Sequence, residues 1–128
     1  MNNKELIKLR DETVGKDAAA ILNWTAERFG RDTVFASALG VEDQVITDLL
    51  SRLKLNIPVI TLDTGRLFNE TYQLLQRTEQ RYDMRFRVYF PERDAVELMV
   101  NEHGVNMFLD SVEKRKQCCR VRKLEPLR

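Results

Sequence analysis

The sequence predicts an α/β protein whose parallel sheet is covered by helices. Short apolar, partly β-branched segments alternate with longer segments in which apolar residues recur at helical spacing. The connections between successive strands are long enough to hold a helix, and such units form parallel, right-handed crossovers. The 128 residues suit one domain and contain no linker, repeat or low-complexity segment. We therefore expect a single α/β domain over residues 1–128.

The predicted elements alternate along the chain. The first helix is expected over residues 17–29, with Asp17 as its cap and Gly30 after its end. The later elements are a strand at 33–38, a helix at 41–54, a strand at 59–62, a helix at 69–82, a strand at 85–90 and a helix at 92–103. The aromatic side chains lie mostly on these apolar stripes and are expected in the core.

Composition and charge narrow the function classes. With 43% hydrophobic and 32% charged residues, the chain is typical of a soluble globular protein and not of a disordered or fibrous one. No apolar run approaches a membrane span and the start lacks the apolar block of a signal peptide, so we expect no membrane partner and a cytoplasmic location. Residues 112–128 carry seven Lys and Arg against two Glu. This basic end predicts an anionic partner, either a nucleotide, a nucleic acid or a negatively charged cluster.

Ligands bind beyond the carboxyl ends of parallel strands, which singles out three loops, at residues 37–44, 63–68 and 91–94. The first two of these are the candidate loops with residues suited to a ligand. Residues 37–44 combine a strand end, a Gly turn and a helix start, whose free N–H groups suit an anion. Since this loop lacks the Walker lysine and the dinucleotide glycines, its motif alone favours an ordinary β-α turn over a phosphate site. In Asp63-Thr64-Gly65, either the polar side chains cap the helix near Asn69, or Gly65 lets a base or sugar approach the backbone.

The adjacent Cys118 and Cys119 are the most informative feature. Neighbouring Cα atoms lie about 3.8 Å apart, too close for an unstrained mutual disulfide. If residues 113–124 are helical, each thiol has a cation four residues later, Arg122 or Lys123, and cations favour the thiolate that binds metal. Adjacent thiolates can reach different irons of one cubane cluster, but two ligands are too few alone. The alternative is a pair of incidental thiols on a basic helix.

Three segments together resemble a known enzyme family. Residues 35–43 (FASALGVED), 62–72 (LDTGRLFNETY) and 118–127 (CCRVRKLEPL) are similar to the assimilatory adenylyl-sulfate and phosphoadenylyl-sulfate reductases, in the iron–sulfur branch. The resemblance implies a Rossmann-like nucleotide-binding sheet of the adenine nucleotide alpha hydrolase type, related to the ATP pyrophosphatases. It also implies roles for ten residues: phosphosulfate binding by Ser37 and Gly40, adenosine binding by Leu62, Thr64, Gly65 and Arg66, a further substrate contact from Arg122, ligation of a [4Fe-4S] cluster by Cys118 and Cys119, and charge stabilisation by Lys123.

The resemblance implies a reaction as well. In the family a cysteine thiolate attacks the sulfur of adenylyl sulfate or phosphoadenylyl sulfate, and thioredoxin or glutaredoxin then frees sulfite. Family members continue past the position of Arg128 into a second cysteine pair and the nucleophilic cysteine. We therefore expect an amino-terminal part that is inactive alone. Its truncated sheet should expose an edge or an apolar face, which favours self-association into a homo-oligomer.

Two other functions compete with this interpretation. An ATP-using adenylyl transferase on the same sheet would need a phosphate loop rich in Ser and Gly, whereas Leu39 and Val41 stand in this loop. A nucleic-acid-binding module would use the basic end, but no aromatic residue interleaves its cations to stack on bases. We therefore expect no nucleic-acid partner.

Overall fold

The computed structural model describes residues 2–128 and has the α/β fold class that the sequence predicts. The helices are α1 (Asn3–Thr13), α2 (Ala18–Phe29), α3 (Val41–Arg52), α4 (Asn69–Tyr82), α5 (Arg93–His103) and α6 (Val112–Cys119). The strands β1 (Phe35–Ala36), β2 (Val59–Leu62) and β3 (Arg87–Tyr89) form one sheet in the order β1-β2-β3. Within residues 2–128, no helix has the length and apolar character needed to cross a bilayer.

The chain divides into two compact units. The first unit comprises the residues up to Phe35 together with Val41–Pro58, and the second comprises Ala36–Gly40 together with Val59–Arg128. The loop after β2 and the cysteine pair both belong to the second unit. The expectation of one domain over residues 1–128 stays a prediction.

Local capping interactions define the helices of the first unit. The Asp17 side chain accepts a hydrogen bond from the Ala20 N–H at 2.8 Å, which confirms the predicted start of α2. Helix α1 was not among the predicted elements, although its capping box is visible in the sequence. The Asn2 side chain accepts from the Glu5 N–H at 2.9 Å while the Glu5 carboxylate accepts from the Asn2 N–H at 2.7 Å.

The sheet of the second unit is parallel and short. Strand β2 pairs with β3 in the register Ile60 to Arg87 and Leu62 to Tyr89. The hydrogen bonds continue beyond the strands, because the Ser37 N–H donates to the Ile60 carbonyl and the Asp63 N–H donates to the Tyr89 carbonyl, both at 2.9 Å. The sheet therefore fixes the backbone at Ser37 and Asp63, where the two candidate loops begin.

Two strands are shorter than predicted, and each has a local reason. The predicted strand at 33–38 is reduced to Phe35–Ala36; its first ladder bond runs from the Phe35 N–H to the carbonyl of Pro58, which has no N–H to extend the ladder. The predicted strand at 85–90 is reduced to Arg87–Tyr89, because the Phe86 N–H donates to the Glu79 carboxylate instead of to a strand.

The core of the second unit contains one of the cysteines. Met99, Met107, Cys118 and Val121 form a buried cluster, and Phe108 packs against it partly buried. The expectation that the aromatic side chains lie mostly in the core is wrong for several of them, since Phe68 is 79% exposed and Tyr72, Tyr89 and Phe90 are exposed too. Cys118 is thus packed like an apolar core residue while it remains a free thiol.

Candidate nucleotide and thiol site

A cavity of about 330 Å³ opens at the carboxyl ends of β1 and β2. This is where ligands bind in parallel α/β sheets, and the volume is that of a small-molecule site. Its walls are mostly apolar, and Lys123 is its one charged side chain. The cavity, called the nucleotide cavity below, is lined by Ala36, Ser37, Ala38, Leu39, Ile60, Thr61, Leu62, Thr64, Leu67, Thr71, Lys123 and Leu127.

The loop after β1 places a hydroxyl in this cavity. Ser37 is buried, and its Oγ accepts a hydrogen bond from the Leu39 N–H at 3.1 Å. Its hydroxyl proton can therefore be donated to a ligand oxygen. The predicted Gly turn differs in detail, because Leu39 and not Gly40 has the left-handed backbone, with φ 63°. Gly40 is also not among the residues that line the cavity. A left-handed, buried leucine stores backbone strain next to the ligand space.

Asp63 shapes the loop after β2. Its carboxylate is 6% exposed, accepts from the Gly65 N–H at 2.7 Å, and accepts from the Tyr72 hydroxyl at 2.8 Å. The hydrogen bond from Tyr72 to Asp63, followed by desolvation and the charge of Asp63, raises the pKa of Tyr72 above its ordinary value. The alternative in which Asp63 and Thr64 cap α4 is wrong, since the N-cap is Phe68 and no side chain caps that helix.

Gly65 lies under the guanidinium of Arg122. Gly65 has φ 71°, and a Cβ there would stand 3.3 Å from Arg122 Nη1. The same Nη1 donates to the Thr64 carbonyl oxygen at 2.7 Å. Glycine is therefore required twice, by the left-handed backbone and by the close approach of Arg122.

Arg122 is a buried cation without a carboxylate partner. The residue is 8% exposed, and its Nε is buried with no hydrogen-bond partner. Within residues 2–128, no ion pair includes Arg122. A buried positive charge is costly unless something compensates it, so this arrangement suits an anionic ligand.

A second cavity of about 220 Å³ adjoins the first and contains the cysteine pair. Cys118 is 9% exposed and Cys119 is half-buried; both are free thiols. The cavity, called the thiol cavity below, is lined by Thr64, Arg66, Phe108, Arg115, Cys118, Cys119, Arg122 and Lys123, with no carboxylate. Thr64 and Lys123 line both cavities, so a ligand in either one would contact the same two residues.

The sequence allows one continuous helix over residues 113–124. The structure differs from this, because the helix that carries the cysteines is not regular throughout. Helix α6 ends at Cys119, and Arg120–Leu124 forms a π-turn. Such wider turns are rare and often occur at functional sites. Both thiols lie before the π-turn, and the two cations Arg122 and Lys123 lie within it. All four side chains nevertheless line the thiol cavity.

The thiol cavity fits half of an iron–sulfur ligand set. Cys118 and Cys119 are the two thiolate donors, and Arg115, Arg122 and Lys123 would offset the negative charge of a thiolate-bound cluster. Among residues 2–128, no group of three or more His, Cys, Asp or Glu side chains could hold a metal ion. Among the described residues, the donors in this cavity that could hold a metal are thus the two thiols of Cys118 and Cys119.

Comparison with known proteins settles the family. The family model described as the phosphoadenosine phosphosulfate reductase domain matches residues 32–128. The chain belongs to this family. An adenosine 5'-phosphosulfate reductase from Sinorhizobium fredii is 49% identical over 119 residues, which are 93% of this chain and 47% of that protein. One from Allochromatium vinosum is 48% identical over 95 residues, 74% of this chain and 37% of that protein.

A solved structure agrees with the fold of this reductase-family chain. The phosphoadenylyl-sulfate (PAPS) reductase from Candida auris, in a phosphate complex, matches with a TM-score of 0.81 and 22% identity, over 99% of this chain and 61% of that one. This agreement confirms the predicted α/β fold class, a parallel sheet covered by helices. The chain spans about half the length of the curated relatives it matches.

In this reductase-family chain most of the predicted site residues line one or both of the two cavities. Ser37 and Leu62 line the nucleotide cavity, Arg66, Cys118, Cys119 and Arg122 line the thiol cavity, and Thr64 and Lys123 line both. Gly65 touches Arg122 without lining either cavity. Sequence reasoning missed Tyr72 and Phe108. Tyr72 lies in the segment that carries the family resemblance, whereas no local pattern points to Phe108.

Proposed function

We propose that this chain is the nucleotide-binding part of a sulfonucleotide reductase acting on adenylyl sulfate or phosphoadenylyl sulfate. The observation that carries the proposal is that Lys123 lines both the nucleotide cavity and the thiol cavity. The group to be reduced would therefore lie between an adenosine pocket and two thiols. The relatives named adenosine 5'-phosphosulfate reductase support this substrate class, and the proposed setting is the cytoplasm.

In the proposed complex, the apolar and the polar side chains of the nucleotide cavity contact different parts of the substrate. The apolar side chains of Leu62, Leu67 and Leu127 offer a surface for the adenine ring. The Ser37 hydroxyl donates to a phosphate oxygen, and the exposed Lys123 ammonium attracts the phosphosulfate charge. These contacts orient the sulfur towards the thiol cavity.

The chemical step transfers sulfur to a cysteine. A thiolate attacks the sulfur, the bond between sulfur and the bridging oxygen breaks, and AMP or adenosine 3',5'-bisphosphate leaves with the electron pair on its phosphate. Lys123 stabilises the negative charge that develops there. A dithiol of thioredoxin or glutaredoxin then attacks the cysteine sulfur, releases sulfite and ends as a disulfide. We place the attacking cysteine in the part of the relatives that this chain does not span, since Cys118 and Cys119 are both proposed as cluster ligands.

Cys118 and Cys119 are the proposed ligands of a [4Fe-4S] cluster. When bound, the cluster would supply a charged centre that tunes the electrostatics of the adjoining substrate. Cys118 is held by the core cluster of Met99, Met107 and Val121, which fixes the position of its sulfur. Arg122 is buried and lines the same cavity as both thiols, where its positive charge would offset part of the negative charge of a thiolate-bound cluster.

Calorimetric titration of the 128-residue chain tests the binding part of this proposal. Adenylyl sulfate should bind more tightly than AMP, because the sulfate adds charge next to Lys123. Lys123→Gln should weaken adenylyl sulfate binding about tenfold, which corresponds to about 1.4 kcal/mol. Lys116→Gln is the matched control, since Lys116 is exposed on α6 and lines neither cavity. The proposal fails if both variants bind alike, or if only an oligonucleotide binds.

Catalysis is tested by sulfite release. The 128-residue chain with thioredoxin and adenylyl sulfate should release no sulfite, because the attacking cysteine is placed outside it. Sulfite release by this chain alone would contradict that placement.

A further inference from the structure

Arg66 is oriented away from the nucleotide cavity. Its Nη1 donates to the Val105 carbonyl at 2.9 Å and its Nη2 donates to the Asn106 side-chain oxygen at 3.1 Å. Its guanidinium also lies 4.8 Å above the ring of Phe108. Arg66 is absent from the lining of the nucleotide cavity but lines the thiol cavity. These contacts use the planar fork of the guanidinium on protein partners.

Arg66 and Arg122 both tie the loop after β2 to later parts of the chain, Arg66 to residues 105–108 and Arg122 to the π-turn. Arg66, from the loop after β2, reaches the 105–108 segment some forty residues later in the chain. Arg122, from the π-turn, reaches back to the Thr64 carbonyl in that loop. The loop is therefore held to the thiol-bearing region at two points, one of them Thr64, which also lines the nucleotide cavity.

Phe108 transmits the Arg66 contact to the thiols. Its ring packs against the cluster that contains Cys118, and its carbonyl accepts from Arg115 Nε at 3.3 Å. Phe108 also lines the thiol cavity. A change in the position of Phe108 would therefore alter both the packing of the cluster that buries Cys118 and the wall of the thiol cavity.

We infer that Arg66 is a positioning residue for the Cys118–Cys119 pair, which couples the nucleotide loop to the thiol cavity, and is not a nucleotide ligand. The inference rests on the proposed function only for the identity of the ligand. A nucleotide that orders the loop at Thr64 would also order Arg66 and Phe108. By linkage, it would then lower the access of reagents to Cys118.

Alkylation of the reduced, metal-free 128-residue chain with iodoacetamide tests the inference. The rate at each cysteine is measured by mass spectrometry at one fixed pH. Arg66→Gln should raise the alkylation rate of Cys118 at least fivefold, because the guanidinium hydrogen bonds and the stacking on Phe108 are lost. The rate at Cys119 should change less, because Cys119 is only half-buried in the wild type. Adenylyl sulfate should slow Cys118 alkylation at least twofold in the wild type, and Arg66→Gln should abolish this protection. The affinity of Arg66→Gln for adenylyl sulfate should stay within twofold of the wild-type affinity.

Three further variants make the result specific. Arg77→Gln, at an exposed arginine of α4, is the matched control and should leave the Cys118 rate unchanged. Arg66→Lys keeps the charge without the fork and should be intermediate. Phe108→Leu keeps an apolar side chain but removes the ring under the guanidinium, and should also raise the Cys118 rate. If Arg66→Gln does not fold, the Cys118 alkylation rates of Arg66→Lys and Phe108→Leu test the inference instead.

Two results would overturn the inference. One is an unchanged Cys118 rate in folded Arg66→Gln, or in both Arg66→Lys and Phe108→Leu. The other is a tenfold loss of adenylyl sulfate affinity in Arg66→Gln with unchanged alkylation, which would make Arg66 a nucleotide ligand. If wild-type protein does not bind adenylyl sulfate, the proposed function fails, while a raised Cys118 rate in Arg66→Gln still supports the positioning role.

Discussion

Replacing Arg122 by methionine separates what this buried cation does for folding from what it does for a ligand. Methionine keeps the unbranched stem of arginine and fills irregular space, but it is shorter and carries no charge and no donor. The substitution removes the hydrogen bond to the Thr64 carbonyl and the unpartnered Nε together. The two losses act in opposite directions on the free energy of unfolding.

The expected balance follows from the burial of the guanidinium. Losing a hydrogen bond from a charged donor costs about 1.5 to 3 kcal/mol. Removing a buried donor without a partner returns about 1 to 3 kcal/mol, and removing an uncompensated buried charge returns about as much again. We therefore expect Arg122→Met to raise the free energy of unfolding by about 1 kcal/mol. Such a gain in stability on removing Arg122 would support the proposal that this residue is retained for binding an anionic ligand.

Urea denaturation followed by circular dichroism measures this effect. Lys116→Met is the control, because it removes one exposed charge from α6, just before the π-turn, and should leave stability nearly unchanged. Adenylyl sulfate should raise the denaturation midpoint of the wild type, and should raise that of Arg122→Met less. A loss of more than about 1 kcal/mol in Arg122→Met would refute the reasoning, because the hydrogen bond to Thr64 would then outweigh the cost of burying the charge.

Three substitutions test local backbone and charge, and a fourth tests association. Gly65→Ala should lower the free energy of unfolding by about 1 to 2 kcal/mol, since φ is 71° there, as measured by the urea midpoint. Asp17→Ala should cost about 1 kcal/mol in the same measurement by removing the N-cap of α2, and Asp17→Asn should restore most of it. Because Asp63 raises the pKa of Tyr72 above 10.0, the folded state retains the phenol proton more strongly than the unfolded state. That stabilisation is complete below pH 10.0 and disappears as the pH rises through the pKa of Tyr72 in the folded state. Tyr72→Phe should therefore make the loss of stability at alkaline pH less steep, as measured by denaturation at increasing pH. An unchanged slope would contradict the Asp63 contact. Val88→Lys should reduce concentration-dependent self-association in sedimentation, because Val88 is exposed on β3 at the edge of the sheet, and a wild-type chain that stays monomeric would contradict this.

The elements that the sequence predicted correctly depend on neighbouring residues. Helix α2 begins after Asp17 because the capping side chain lies three residues from the N–H it satisfies. Strand β2 and helix α4 have their predicted bounds, since continuous apolar runs and helical periodicity are local properties. The same holds for the fold class and for the family, whose three segments could be identified without coordinates.

The site depended on contacts between residues far apart in the chain. Arg122 meets Thr64 across 58 positions, and Arg66 meets Asn106 across 40. No local pattern specifies such partners, so sequence reasoning predicted neither these contacts nor the part of Phe108 in the thiol cavity. The left-handed turn at Leu39 in place of Gly40 has the same origin, because burial and the Ser37 hydroxyl hold a conformation that leucine seldom adopts alone. Local chemistry thus determined the strands, most helices and the kinds of side chain at the site, while tertiary packing alone decided which of them meet.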